Sequence, residues 1–199
     1  PGENIHFFFF FVEFNDKLYF KANDGIHGDG LFVSDGTAEG TRLAANLNPG
    51  KSNDGSGRGS APDNFVEFND KLYFTADDGV HGDELFVSDG TAEGTQLLVD
   101  LYPGVNKYGN LSSFANNLVE FNGKLYFTAD DGVHGNELFV SDGTPEGTQL
   151  AVDLYPGENS YGYINSSFPR NFVEFNDQLY FTADDGVHGD ELFVSDGTA

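Results

Sequence analysis

Carboxylates dominate the chemistry open to this chain. The octet Asp77-Asp78-Gly79-Val80-His81-Gly82-Asp83-Glu84 recurs with small changes from Asn23, Asp130 and Asp184. Clustered carboxylates suit calcium, which takes hard oxygen ligands from side chains and backbone. Asp77, Asp78, Asp83, Asp130, Asp131, Asp184, Asp185 and Asp190 are therefore the candidate metal ligands. Their spacing is neither that of an EF-hand nor that of a calcium β-roll. Asp or Asn before Gly also stabilises tight turns with no metal at all. His27, His81, His134 and His188 stand at one position of the same octet. They would form either a repeated ligand site or a row of imidazoles bonded to neighbouring carboxylates. Acid–base catalysis by paired carboxylates needs two groups in different environments. Here every Ser, Asp and His of the repeated part occurs several times in near-identical surroundings, so the expectation is a chain that is not an enzyme.

Aromatic residues supply the other candidate chemistry. Three long connections, 48–64, 102–117 and 155–171, vary in sequence where the rest repeats. Tyr108, Tyr161 and Tyr163, with Asn110 and Asn165, lie in the last two. Tyrosine offers a broad apolar face and a hydroxyl at little rotational cost, which suits a polar ring such as a sugar. Tyr102 and Tyr155 belong to a repeated Leu-Tyr-Pro-Gly and are expected to cap the core instead.

The elements that must position these residues come in copies. Leu72-Tyr73-Phe74-Thr75-Ala76-Asp77-Asp78-Gly79 recurs from Leu18, Leu125 and Leu179, and Leu85-Phe86-Val87-Ser88-Asp89-Gly90-Thr91 recurs from Leu31, Leu138 and Leu192. The period is 53–54 residues, a length typical of repeat architectures. One unit reads as strands over 65–68, 71–76, 84–88 and 95–101. The first two are joined by Asn69-Asp70, a dipeptide suited to a tight hairpin. No window has helical periodicity. Leu72-Tyr73-Phe74, Leu85-Phe86-Val87 and Leu97-Leu98-Val99 are continuous apolar triplets, which implies strands buried on both faces. The expected fold is all-β: a β-propeller of four-stranded antiparallel blades. It would be one domain or propeller segment over 1–199, with repeats at about 11–64, 65–117, 118–171 and 172–199. The last lacks its fourth strand. The exposed edge so left is expected to be covered either by the residues near Ile5 to Phe8 or, through self-association, by a second copy.

Composition removes several classes. Asp and Glu number 33 against 9 Lys and Arg, a formal charge of −24 at pH 7. That charge argues against nucleic acid and anionic membrane surfaces, both of which need clustered cations. With 21 Phe and 9 Tyr the chain is not a disordered acidic tail. Cysteine is absent, and no apolar run is long enough to span a bilayer. The chain opens Pro1-Gly2-Glu3 with no basic n-region, so no signal peptide is visible and it reads as a mature product or an excised piece.

Glu84-Leu85-Phe86-Val87-Ser88-Asp89-Gly90-Thr91, followed by Glu93-Gly94-Thr95, resembles the ELWxxDGT repeat of large, often secreted bacterial proteins, with Phe in place of Trp. Glu137 to Thr144 and Glu191 to Thr198 fit equally well, whereas the first copy departs with Gly30. Ser88-Asp89-Gly90 with its threonine is also similar to the Asp-box turn of sialidase-type propellers. The resemblance implies repeat architecture and a secreted or cell-surface location. Two functions are then expected: a lectin-like binding or adhesion module for glycan or protein, or a purely structural spacer or assembly unit. Calcium is the only cofactor the sequence suggests.

Overall fold

The computed structural model describes residues 11–52 and 55–198. Among them the protein is all-β, with no helix, and therefore no helix long and apolar enough to cross a membrane. Three four-stranded antiparallel sheets follow one another along the chain. The first holds β1 (Phe11–Phe14), β2 (Lys17–Asn23), β3 (Asp29–Ser34) and β4 (Arg42–Ala45). The second holds β5 (Asp63–Phe68), β6 (Lys71–Asp77), β7 (Asp83–Ser88) and β8 (Gln96–Val99). A two-stranded hairpin, β9 (Val105–Asn106) and β10 (Gly109–Asn110), comes next. The third sheet holds β11 (Asn116–Phe121), β12 (Lys124–Asp130), β13 (Asn136–Ser141) and β14 (Gln149–Val152). The last is three-stranded: β15 (Arg170–Phe175), β16 (Gln178–Asp184) and β17 (Asp190–Ser195).

Local chemistry explains the sheets. Each first hairpin turns on two residues of positive φ: Asn69 at 50° and Asp70 at 57°, for example, and Asn122 at 54° and Gly123 at 73°. That geometry matches the right-handed strand twist, and Asn, Asp and Gly are the residues that tolerate it. Asn64, Asn117 and Asn171 also take positive φ where β5, β11 and β15 slip register against their partners. Strand order in every sheet is sequential, a simple meander.

The sheets stack face to face, with β1 beside β5, β5 beside β11 and β11 beside β15. Three apolar cores lie between successive sheets. Phe14, Tyr19, Leu31 and Val33 of the first sheet meet Leu72, Phe74, Ala76 and Phe86 of the second. Phe68, Tyr73, Leu85 and Val87 meet Leu125, Phe127, Ala129 and Phe139. Phe121, Tyr126, Leu138 and Val140 meet Leu179, Phe181 and Ala183, with Phe193 half-buried alongside. Every interface thus joins one face of a sheet to the opposite face of the next.

The continuous apolar triplets are buried on both faces only where a sheet has two neighbours. In β6 and β12 five successive residues, Leu72 to Ala76 and Leu125 to Ala129, are buried. In β16, of almost the same sequence, burial alternates, because nothing among the described residues covers its second face. The fourth strand is shorter than the sequence suggests, Gln96–Val99 rather than 95–101. The segment from Ile5 to Phe8, expected to cover the free edge, lies outside the described residues.

Candidate functional site

The repeated hairpins spend their polar groups on their own geometry. Asp89 Oδ1 accepts from Thr91 N at 2.8 Å and from Thr91 Oγ1 at 2.6 Å. Gly94 N donates to Thr91 Oγ1, Thr95 Oγ1 donates to the Thr91 carbonyl, and the Ser88 and Thr95 hydroxyls share a bond. A Cβ on Gly94 would sit about 2 Å from the Asp89 carboxylate, so any side chain there would displace that carboxylate from its turn. The hydrogen bonds hold Asp89, Asp142, Asp35 and Asp196 below the usual carboxylate pKa, threonine bonding being the leading cause.

The Asp-rich loops are built the same way. Asp77 Oδ1 accepts from Gly79 N, and Asp78 Oδ1 accepts from Val80 N and His81 N. Asp78 Oδ2 stands 2.7 Å from His81 Nδ1. His27–Asp24, His134–Asp131 and His188–Asp185 repeat that pair at 2.6–2.8 Å. Bonding to its aspartate raises the pKa of His81, His134 and His188 above the ordinary imidazole value. Asp24 is held down at about 2, chiefly by its hydrogen bond from the His27 backbone. Asp130 and Asp184 make the Asp77-type turn to Gly132 and Gly186. Asp83 lies opposite Asp77 at the strand ends, and burial raises its pKa. Asp190 Oδ2 instead pairs with Arg170 Nη2 at 2.5 Å. Among the described residues no three His, Asp or Glu side chains converge on a metal position.

One functional element escaped the sequence reading, the motif glutamate. Glu84 is fully buried, and its carboxylate accepts from Leu101 N, Ser113 N and Ser113 Oγ at 3.1, 2.8 and 2.6 Å. Glu137 does the same with Leu154 N, Ser167 N and the Ser167 hydroxyl. Each glutamate ties its sheet to the connection that leads into the next. Burial outweighs those donors and pushes Glu84 up to about 7, with the charge of Asp100 adding to the shift. Asp100 Oδ1 and Asp153 Oδ1 are buried with no hydrogen-bond partner.

The variable connections are where side chains are left to face outward. Each carries a small antiparallel bridge: Lys51 with Gly57, β9 with β10, and Glu158 with Ile164. Asparagines set the tips. Asn106 Oδ1 accepts from Tyr108 N, and Asn159 Oδ1 accepts from Tyr161 N and Tyr163 N. Tyr108, Tyr161 and Tyr163 are 85%, 83% and 71% exposed, so none of them is a core residue. Lys107 Nζ lies 4.7 Å from the Tyr108 ring centroid. Asn110 is half-buried in β10, and Asn165 Nδ2 donates to the Pro156 carbonyl inside its own loop. The Tyr102 and Tyr155 rings lie within 2.2–2.8 Å of where a Cβ would stand on Gly132 and Gly186, so these two tyrosines pack on the next sheet's loop. A groove of about 310 Å3 runs between β14 and β17, lined by Leu138, Val140, Val152, Phe193 and Val194, beside the unpaired edge of β17.

These features define an all-β protein of stacked antiparallel sheets with decorated connections. No family model and no curated protein matches the chain. Among solved structures it is similar to a prolyl endopeptidase at TM-score 0.50 and 14% identity, over 94% of this chain and 26% of that one. An endo-arabinase from Bacteroides thetaiotaomicron aligns at TM-score 0.39 and 14% identity, over 94% of this chain and 72% of that one. A GH43 endo-arabinanase from Bacillus licheniformis aligns at TM-score 0.26 and 13% identity, over 98% and 94%. The chain spans about a quarter of the length of the prolyl endopeptidase.

The expectation of a chain that is not an enzyme is corrected by this finding: the fold is one that also forms part of an enzyme, the prolyl endopeptidase, so a repeated all-β scaffold does not exclude catalysis. The physical reason is that repetition of a scaffold does not bear on catalysis. Turn residues repeat because turns repeat, while a unique set of groups can be carried on the connections.

Proposed function

We propose that the chain is part of an exported β-propeller of the ELWxxDGT-repeat kind, whose inter-sheet connections recognise carbohydrate. Four-stranded meanders stacked with their first strands adjacent are the arrangement of propeller blades. The observation that carries the glycan reading is the set of exposed tyrosines at asparagine-braced loop tips. A large aromatic face left in water by a rigid turn is already ordered for stacking on a sugar ring, which lowers the entropic cost of binding.

The test is titration of the chain with a panel of oligosaccharides, using Tyr108→Ala, Tyr161→Ala and Tyr163→Ala. Because these rings are exposed, stability should change by no more than about 0.5 kcal/mol. Affinity for the bound sugar should fall about tenfold or more, roughly 1.4 kcal/mol. Unchanged affinity in all three variants would move the site elsewhere. Sugar release measured in the same mixtures reads turnover directly. A structural assembly unit is the second reading, favoured by the uncovered apolar face of the fourth sheet. Wild-type protein silent on the whole panel would leave that reading.

A further inference from the structure

Two phenylalanines stand where the backbone disfavours them and water surrounds them. Phe114 and Phe168 take φ of 50° and 48°, and Ala61 holds the equivalent place in the first connection at 44°. At every other non-glycine position of positive φ among the described residues the chain uses Asn or Asp. Those side chains tolerate the left-handed region, whereas a bulky one is strained there. The fold needs the bend: Ala61 N donates to the Asp29 carbonyl, Phe114 N to that of Asp83 and Phe168 N to that of Asn136. It does not need the ring, because alanine serves at the first joint. Burial does not account for the ring either, since Phe114 is 63% and Phe168 55% exposed.

What the rings gain is rigid display, at joints internal to the stack. Ser113, just before Phe114, is clamped by the buried Glu84, and Ser167, just before Phe168, by Glu137. Ser112 Oγ accepts from Asp83 N, and Ser166 Oγ from Asn136 N. These bonds set each phenylalanine at the sheet end that carries an Asp-rich loop, where Val80 is 64% and Val133 67% exposed. The same loops hold Asp77, Asp78, Asp130 and Asp131. His81 and His134 offset at most one carboxylate each. Arg170, beside Phe168, is already paired with Asp190 and donates to the Phe168 carbonyl.

We propose that this end of the second and third sheets docks a basic segment of a partner protein, one in which arginines alternate with apolar residues. A guanidinium stacks on an aromatic face and forks onto carboxylates, so ring and aspartates can recognise one side chain together. Val80 and Val133 pack against the apolar residues between the arginines, whereas to a sugar they offer no hydrogen bond. A net charge of −24 repels an acidic segment and draws in a basic one. None of the tyrosine tips takes part, so silence toward neutral glycans leaves this surface untouched.

Calorimetric titration of the full chain tests this at about 0.15 M sodium chloride, where long-range attraction is screened. The probes are three synthetic peptides, alternating arginine with leucine, lysine with serine, and glutamate with leucine. The arginine–leucine peptide should bind at least about tenfold tighter than the lysine–serine one, and the glutamate–leucine one should not bind. Phe114→Asn combined with Phe168→Asn keeps the charge and should cost the arginine–leucine peptide about tenfold or more. Asparagine suits both backbone positions, so the melting temperature should hold or rise. Phe114→Ala with Phe168→Ala, the residue of the first joint, should lose the same affinity. Arginine–leucine binding that is absent, unchanged in both double variants, or matched by the lysine–serine peptide would overturn the proposal. A melting temperature lowered by several degrees in both double variants would overturn it too, by making the rings structural. Loss of chitosan-oligosaccharide binding with peptide binding intact would overturn it in favour of a sugar.

Discussion

A buried carboxylate is expensive to ionise, and Glu84 shows what the fold gains from keeping one. Its two oxygens accept from the Leu101 and Ser113 backbone N–H groups and from the Ser113 hydroxyl, all between sheets. Replacing Glu84 with Gln swaps one acceptor oxygen for an amino group facing an N–H. That substitution should lower stability by about 1–3 kcal/mol at neutral pH. The pH dependence follows from the raised pKa. A group at about 7 when folded and near 4.5 when unfolded binds its proton more tightly in the native state. Its contribution is therefore full below about pH 4.5 and is lost as pH rises through about 7. Glu137 is shifted the same way by burial. Wild type should melt at lower temperature at pH 8 than at pH 5, and the difference should shrink in Glu84→Gln. An unchanged difference would mean that it is carried by the other groups shifted upward, Glu137, Asp83, His81, His134 and His188. The role of Glu84 was readable in principle. Where Gly30 replaces the glutamate, Asn46 replaces the aspartate that stands at Asp100 and Asp153. No local pattern shows it, because the partner Ser113 lies 29 residues away in a variable segment.

At the scale of elements, identical sequence does not mean identical burial. Leu85 and Leu192 occupy the same place in the Glu-Leu-Phe-Val-Ser-Asp-Gly-Thr motif, yet one is enclosed between sheets and the other faces outward. Leu85→Ala should cost about 2–5 kcal/mol, the usual range for a truncated core leucine. Leu192→Ala should stay within about 0.5 kcal/mol when measured on dilute protein, where no second copy covers it. Urea midpoints for the two variants check this. Equal costs would show that the fourth sheet's outer face is covered within a single chain. Strands and turns were legible in the sequence because their signals are local: Asn-Asp and Asn-Gly hairpins, apolar triplets, glycines at fixed offsets. Which triplets lose a neighbour is a property of the stack, and no local pattern records it. The small bridges that brace Tyr108 and Tyr161 were missed for another reason. Their cue is one asparagine two residues before each tyrosine, too weak to stand out among the many asparagines of these connections.

For the whole molecule the governing quantity is charge. A net −24 on 199 residues makes the folded chain repel itself, and compaction brings the charges closer than they are when unfolded. Salt should relieve this, because the screening length falls from about 30 Å at 0.01 M to about 10 Å at 0.1 M. Melting temperature should therefore rise with sodium chloride over that range. Calcium would add to the rise only by binding the native state at a site of its own. The repeated aspartates give that site little to work with, since Asp77 and Asp78 already accept from their own turn and His81. At matched ionic strength, calcium and sodium should then give the same melting temperature, with chelator making no difference. A higher melting temperature in calcium, lost on adding chelator, would instead place a bound ion in these loops.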